Sequence, residues 1–169
     1  MDDYSNIIMG TGSYDTVKSG NRVSITGDGG HAWGYFGPSF KKLAPRLNTY
    51  EPYAKKLETL KGLRDNINEY KKYRKQIEDE YIESYYLTRL KDLYIRDLLE
   101  ELHKRFGDNI ILLCHENIYE FCHRRVLADY IEMETGIYIP EVSVDEEGNV
   151  EKNVPIRYKN RIDKIINRI

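Results

Sequence analysis

The chain has 169 residues, 26 basic and 28 acidic, for a formal charge of −2, which is the length of one domain with a real core. The near balance of charge leaves no global field to draw in nucleic acid or a membrane surface, although a local basic patch stays open. No apolar run approaches the ~20 residues of a membrane span, and two cysteines without a signal peptide point to a reducing, cytoplasmic setting.

Asn6-Ile7-Ile8-Met9 reads as a first buried strand, followed by a turn at Gly10-Thr11-Gly12-Ser13-Tyr14. A Gly-x-Gly after a strand lets backbone N–H groups approach a phosphate, which makes Gly12 a candidate ligand contact. The third glycine of a dinucleotide fingerprint is missing, and a plain tight turn is the competing reading. Arg22 to Thr26 is β-branched and suits a second strand. It opens into Gly27-Asp28-Gly29-Gly30-His31-Ala32-Trp33-Gly34-Tyr35-Phe36-Gly37-Pro38, a loop too glycine-rich to order cheaply. Such a loop covers a site or is a mobile connection without a role. Trp33 and Tyr35 are its candidate stacking groups.

From about Thr49 to Phe106 the pattern is helical and charged, with Pro45 and Pro52 breaking its start and Gly62 its middle. Ile67, Tyr70, Tyr73, Ile77, Tyr81 and Tyr85 define one amphipathic face, and Asp92 is the expected N-cap of a further helix carrying Leu98, Leu99 and Leu102. The basic run Lys71 to Lys75 reads as a solvated face, because Glu69, Glu78, Asp79 and Glu80 surround it. Fifteen tyrosines against four Phe and one Trp fit amphipathic packing, or stacking surfaces for bases.

The strongest signal lies at 109–127. Ile110 to Cys114 is continuously apolar and too short for a helix, which suits a strand buried on both faces in a parallel sheet covered by helices. The run ends at Cys114-His115-Glu116. Asn117 with Glu120 three residues on predicts a capped helix, which Thr135-Gly136 closes. Reactive side chains therefore fall at the carboxyl end of a strand, where open α/β sheets bind ligands. Beyond Gly136, two short extended runs flank Asp145-Glu146-Glu147-Gly148-Asn149 and predict a hairpin, with Pro140 confining its first strand to an edge. Tyr158 to Ile169 predicts a short basic helix with an isoleucine stripe, available for docking or a protein partner.

Leu112-Leu113-Cys114-His115-Glu116 followed by Phe121-Cys122-His123-Arg124-Arg125 resembles the signature of the DUF488 family, in which Leu-Cys-x-Glu precedes Cys-His-Arg. Val23-Ser24-Ile25, Lys42-Leu43-Ala44-Pro45 and the 81–99 segment are similar to phage-type members, so the resemblance spans roughly residues 5 to 134. The family's Asp-Val-Arg after the second strand has no counterpart here. What the resemblance implies is a Rossmann-like α/β domain and, if phage-encoded, a host cytoplasm. We expect such a domain over 1–136, with a largely parallel sheet flanked by helices, and a hairpin and short helix at 137–169 packed on it.

Three chemistries compete for the cluster. Zinc could take Cys114, His115, Cys122 and His123, but adjacent residues diverge on strands and helices, so no metal and no cofactor are expected. A redox pair of Cys114 and Cys122 lacks a C-x-x-C spacing, although a helix N-terminus would lower the pKa of Cys114. The third is a pocket for a nucleotide-like or nucleic-acid ligand. There Glu116, Cys114 and His123 would be the catalytic groups, with Arg124 or Arg125 and the N–H groups of 118–120 on phosphate, and Cys122 and His115 beside them. The expected function is a nucleotide- or nucleic-acid-directed enzyme working at an N-glycosidic bond. The alternative is a non-enzymatic accessory protein that binds a host protein or sequesters a nucleotide.

Overall fold

The computed structural model describes residues 3–169. The strands are β1 (Ile8–Ser13), β2 (Asn21–Ser24), β3 (Ile110–Cys114), β4 (Glu141–Val144) and β5 (Val150–Asn153), and they form one sheet in the order β2-β3-β1-β4-β5. β1 runs parallel to β3 and β4, β2 runs parallel to β3, and β5 closes one edge antiparallel to β4. The helices are α1 (Leu47–Lys61), α2 (Ile67–Thr88), α3 (Ile95–Phe106), α4 (His123–Thr135) and α5 (Lys159–Asn167). The architecture is the mixed α/β, mostly parallel one expected.

Every residue of β3 is buried, but helices do not cover both of its faces. Ile110 and Leu112 meet the large core built with Ile82 of α2, Leu98 of α3, Val126 of α4 and Ile162 of α5. Ile111 and Leu113 point the other way, into a small cluster closed by Tyr14, Val17 and Tyr35. Tyr35 is therefore a lid on the sheet. It stacks on Tyr14 at 5.2 Å, and its hydroxyl donates to the Arg22 and Pro38 carbonyls.

Several local expectations need correction. The Gly10–Ser13 segment is strand, not turn, because both glycines serve close packing. A Cβ on Gly12 would stand 2.8 Å from the Val142 carbonyl and collide with the Val17 side chain. Pro140 does not confine β4 to an edge: it precedes the strand, its carbonyl accepts from Thr11 N, and β4 lies between β1 and β5. Pro52 sits inside α1 without breaking it, near enough to the helix start to forfeit one ladder bond. Asp92 caps nothing, since α3 starts at Ile95 after a 3-10 turn at 90–92. The isoleucine stripe of α5 is used within the chain: Ile162 and Ile165 are buried, and Arg161 pairs with Glu78 and Asp79 of α2.

Candidate functional site

β3 does deliver Cys114, His115 and Glu116 to its carboxyl end, but the next helix starts five residues later than the Asn117 cap predicts. The capping chemistry forms all the same. Glu120 Oε1 accepts from Asn117 N, Asn117 Oδ1 accepts from Tyr119 N, and the Asn117 carbonyl accepts from Glu120 N. These bonds close a turn, so the amides of 119 and 120 are occupied and the expected anion site there is overturned. Phe121 pins the loop to the core against Tyr81 (5.0 Å) and Tyr158 (5.4 Å). The helix cap is Cys122, whose sulfur accepts from Arg124 N at 3.4 Å. Thus Cys122, and not Cys114, has the helix N-terminus.

Arg124 is 1% exposed and does not line the cleft that Glu116 and His123 share. Its Nε and Nη2 form a two-pronged bond to Glu141 (3.1 and 2.7 Å), a pairing set by the register of Thr11 opposite Glu141. Thr11 Oγ1 donates to Glu141 Oε1 and accepts from Arg125 Nη1. A phosphate role for either arginine is thereby corrected: both guanidiniums are buried structural groups. The remaining nitrogen, Arg124 Nη1, reaches the Glu116 carbonyl (2.8 Å) and the sulfurs of Cys114 (3.2 Å) and Cys122 (3.3 Å).

The two sulfurs meet each other under the site. Their Cα atoms are 7.8 Å apart, beyond the roughly 4.4–6.8 Å that disulfides span, so a relaxed bond requires the intervening loop to move. At this spacing the two sulfurs are juxtaposed. With His123 they also place three metal-ligating atoms within 4.8 Å of one another, closer than the divergence of neighbouring side chains suggested, because the strand end and the helix cap converge. The residues do not fit a divalent cation. A guanidinium already lies against both sulfurs, supplies the positive charge two thiolates would need, and repels a second cation.

Above this layer, a cleft of about 840 Å³ is lined by Thr26, Asp28, Trp33, His115, Glu116 and His123 among others. The glycine-rich loop does converge with Glu116 and His123, while Cys114 and Cys122 lie beneath the cleft and Gly12 and Tyr35 are elsewhere. Asp28 shapes that loop: burial opposes its charge, but the amides of Gly30 (2.7 Å) and Ala32 (3.0 Å) and the Thr26 hydroxyl hold its carboxyl below the usual range. Gly30 is needed at φ 93°, where a Cβ would press on Tyr14 and Tyr35. Trp33 then stacks flat on His115, with 4.5 Å between ring centres and 4° between planes.

His115 Nε2 stands 3.3 Å from Glu116 Oε1, and with Cys122 as the thiol its sulfur donates to Glu116 Oε2 at 3.2 Å. Burial raises the Glu116 pKa, against the opposing pull of His115, so this carboxyl holds a proton more readily than an exposed one. His123 donates Nε2–H to the Ile25 carbonyl at 2.7 Å, which leaves Nδ1 as an acceptor. Burial pushes its pKa down to about 4, so the imidazole is neutral at pH 7.

The same cleft is also cationic, through residues that carry no motif. Lys41, Arg46 and Arg89 line the same cleft, and among the described residues no carboxylate pairs with any of them. Arg46 Nε is tied to the Thr88 carbonyl and Arg89 Nε to the Ala44 carbonyl, which presents both guanidinium ends from fixed stems. Burial and the neighbouring Arg46 charge lower the Arg89 pKa, the signature of cations gathered without an anion. Arg46 is also the cap residue of α1, whose N-terminus has no side-chain cap.

A family model described as a domain of unknown function, DUF488, matches residues 38–131, just over half of the chain. No curated protein and no solved structure matches.

Proposed function

We propose, for this chain, which belongs to the DUF488 family, that it is an enzyme acting on nucleotides, hydrolysing or transferring at the N-glycosidic bond. The observation that carries the reading is one cleft that brings together Lys41, Arg46 and Arg89, with which no carboxylate pairs among the described residues, and Glu116, whose buried carboxyl takes a proton more readily than an exposed one. Two tethered guanidiniums and a lysine in the cleft of an uncapped helix N-terminus suit a phosphate. A carboxyl whose burial favours its acid form suits proton donation to a leaving base.

In hydrolysis the bond from water oxygen to the sugar's anomeric carbon forms as the carbon–nitrogen bond breaks. The electron pair goes to the base nitrogen, which takes the Glu116 proton, and the water's proton passes to the neutral His123 Nδ1 or to solvent. Trp33 stacks on His115 and the Cys122 sulfur bonds Glu116, which holds the pair in place.

Chromatography of a panel of ribo- and deoxyribonucleotides incubated with the protein tests this. Free base should appear with at least one of them, and Glu116→Gln should reduce its rate by ~10²- to 10⁴-fold. If a nucleotide binds equally well to both proteins and neither releases base, the protein sequesters nucleotides and the enzymatic reading is wrong.

A further inference from the structure

A second cleft of about 360 Å³ adjoins the first, and the two share Tyr50, His115 and Glu116. Glu116 therefore stands at a junction, with a different chemistry on each side. The second cleft has no unpaired cation: its one arginine, Arg74, is bonded through Nε to Glu78 at 3.0 Å, and Glu120 adds a further carboxylate. A phosphate is repelled there. The walls are aromatic, and three of the rings, Tyr50, Tyr70 and Tyr119, have no ring partner among the described residues. Tyr119 is 82% exposed, at the tip of the turn that follows Glu116. Faces of this kind, bare and gathered around a concavity, are stacking platforms for a flat heterocycle.

We infer that the second cleft is the base subsite: it takes an uncharged heteroaromatic base of a mononucleotide whose phosphate is held by Lys41, Arg46 and Arg89, which places the bond between sugar and base at Glu116. This rests on the nucleotide reading of the first cleft and adds to it the substrate class, a nucleoside monophosphate, and the direction in which the base leaves.

The test compares adenosine 5′-monophosphate with ribose 5-phosphate in calorimetric titrations of the wild type, a Tyr70→Ala/Tyr119→Ala variant and an Arg46→Ala/Arg89→Ala variant, each checked for folding by circular dichroism. The tyrosine variant should bind the nucleotide roughly tenfold more weakly, the scale of a lost base stack, and ribose 5-phosphate as the wild type does. The arginine variant should lose both ligands. If the tyrosine variant binds the nucleotide normally, or loses both ligands alike, the base subsite is refuted while the phosphate site stands. If the wild type binds neither ligand, the nucleotide reading fails and the subsite with it.

Discussion

His123 should make the fold acid-sensitive in a way that one substitution removes. Its imidazole is 4% exposed and held neutral, with a pKa near 4 against an ordinary 6.5. A depressed folded pKa means that the unfolded chain binds the proton first. The stabilising contribution is complete above pH 6.5 and is lost as the pH falls from 6.5 towards 4. At about 1.4 kcal/mol per pH unit, this window is worth about 3 kcal/mol. Glu116 and Asp129, whose pKa values burial raises, act with the opposite sign, but they are present in both proteins compared and cancel. Guanidinium unfolding of the wild type and His123→Gln, repeated from pH 7 to pH 4, reads the difference. The gap between the two stability curves should change by about 3 kcal/mol over that range, with the wild type losing ground. Parallel curves, or an imidazole resonance titrating near 6.5, would refute the argument.

Arg124→Ala should destabilise the fold by ~3–5 kcal/mol in denaturant titrations, because it strands Glu141 as a buried charge, and Arg124→Ala/Glu141→Leu should recover much of that loss. An Arg124→Ala protein of normal stability but poor nucleotide affinity would return Arg124 to the ligand. Gly12→Ala should cost ~1–3 kcal/mol through overpacking against Val17 and Val142, seen as a lower midpoint with nucleotide affinity unchanged. Purified protein should carry no stoichiometric zinc by elemental analysis. About one zinc per chain, lost on Cys122→Ser, would show that Arg124 yields its place to the metal.

What was legible in the sequence follows from how local each cause is. The five-residue apolar run of β3 and the αL glycine at 136 are decided within a turn or so of chain, and both formed as read. The start of α4 was misread although Asn117 and Glu120 make the predicted bonds, because identical bonds close an isolated turn and a cysteine sulfur does the capping. Arg124 looked like a phosphate ligand since nothing local reveals that Glu141, 17 residues on, falls opposite Thr11 and binds it. Tyr35 looked like a stacking group for the same reason, because only the tertiary fold shows the sheet face it covers. The cationic cluster had no signature at all. Arg46 and Arg89 meet only because the α1–α2 hairpin brings the start of one helix beside the end of the other, and Lys41 joins their cleft from the turn at 41–43. A scan for cations without a carboxylate three or four residues away would have picked out Lys41 and Arg46 but not Arg89, which has Asp92 three residues on.

The most direct test of the account separates holding from reacting in the first cleft. A nucleoside monophosphate is titrated calorimetrically into Glu116→Gln and into Lys41→Ala, Arg46→Ala and Arg89→Ala singly, alongside wild-type protein. Each arginine change should weaken binding by ~10- to 100-fold, the loss of a charged hydrogen bond of roughly 1.5–3 kcal/mol, while Glu116→Gln binds within a few-fold of wild type. Binding that is indifferent to Arg46 and Arg89, or that collapses only with Glu116→Gln, would contradict the assignment of phosphate to the arginines and proton transfer to Glu116.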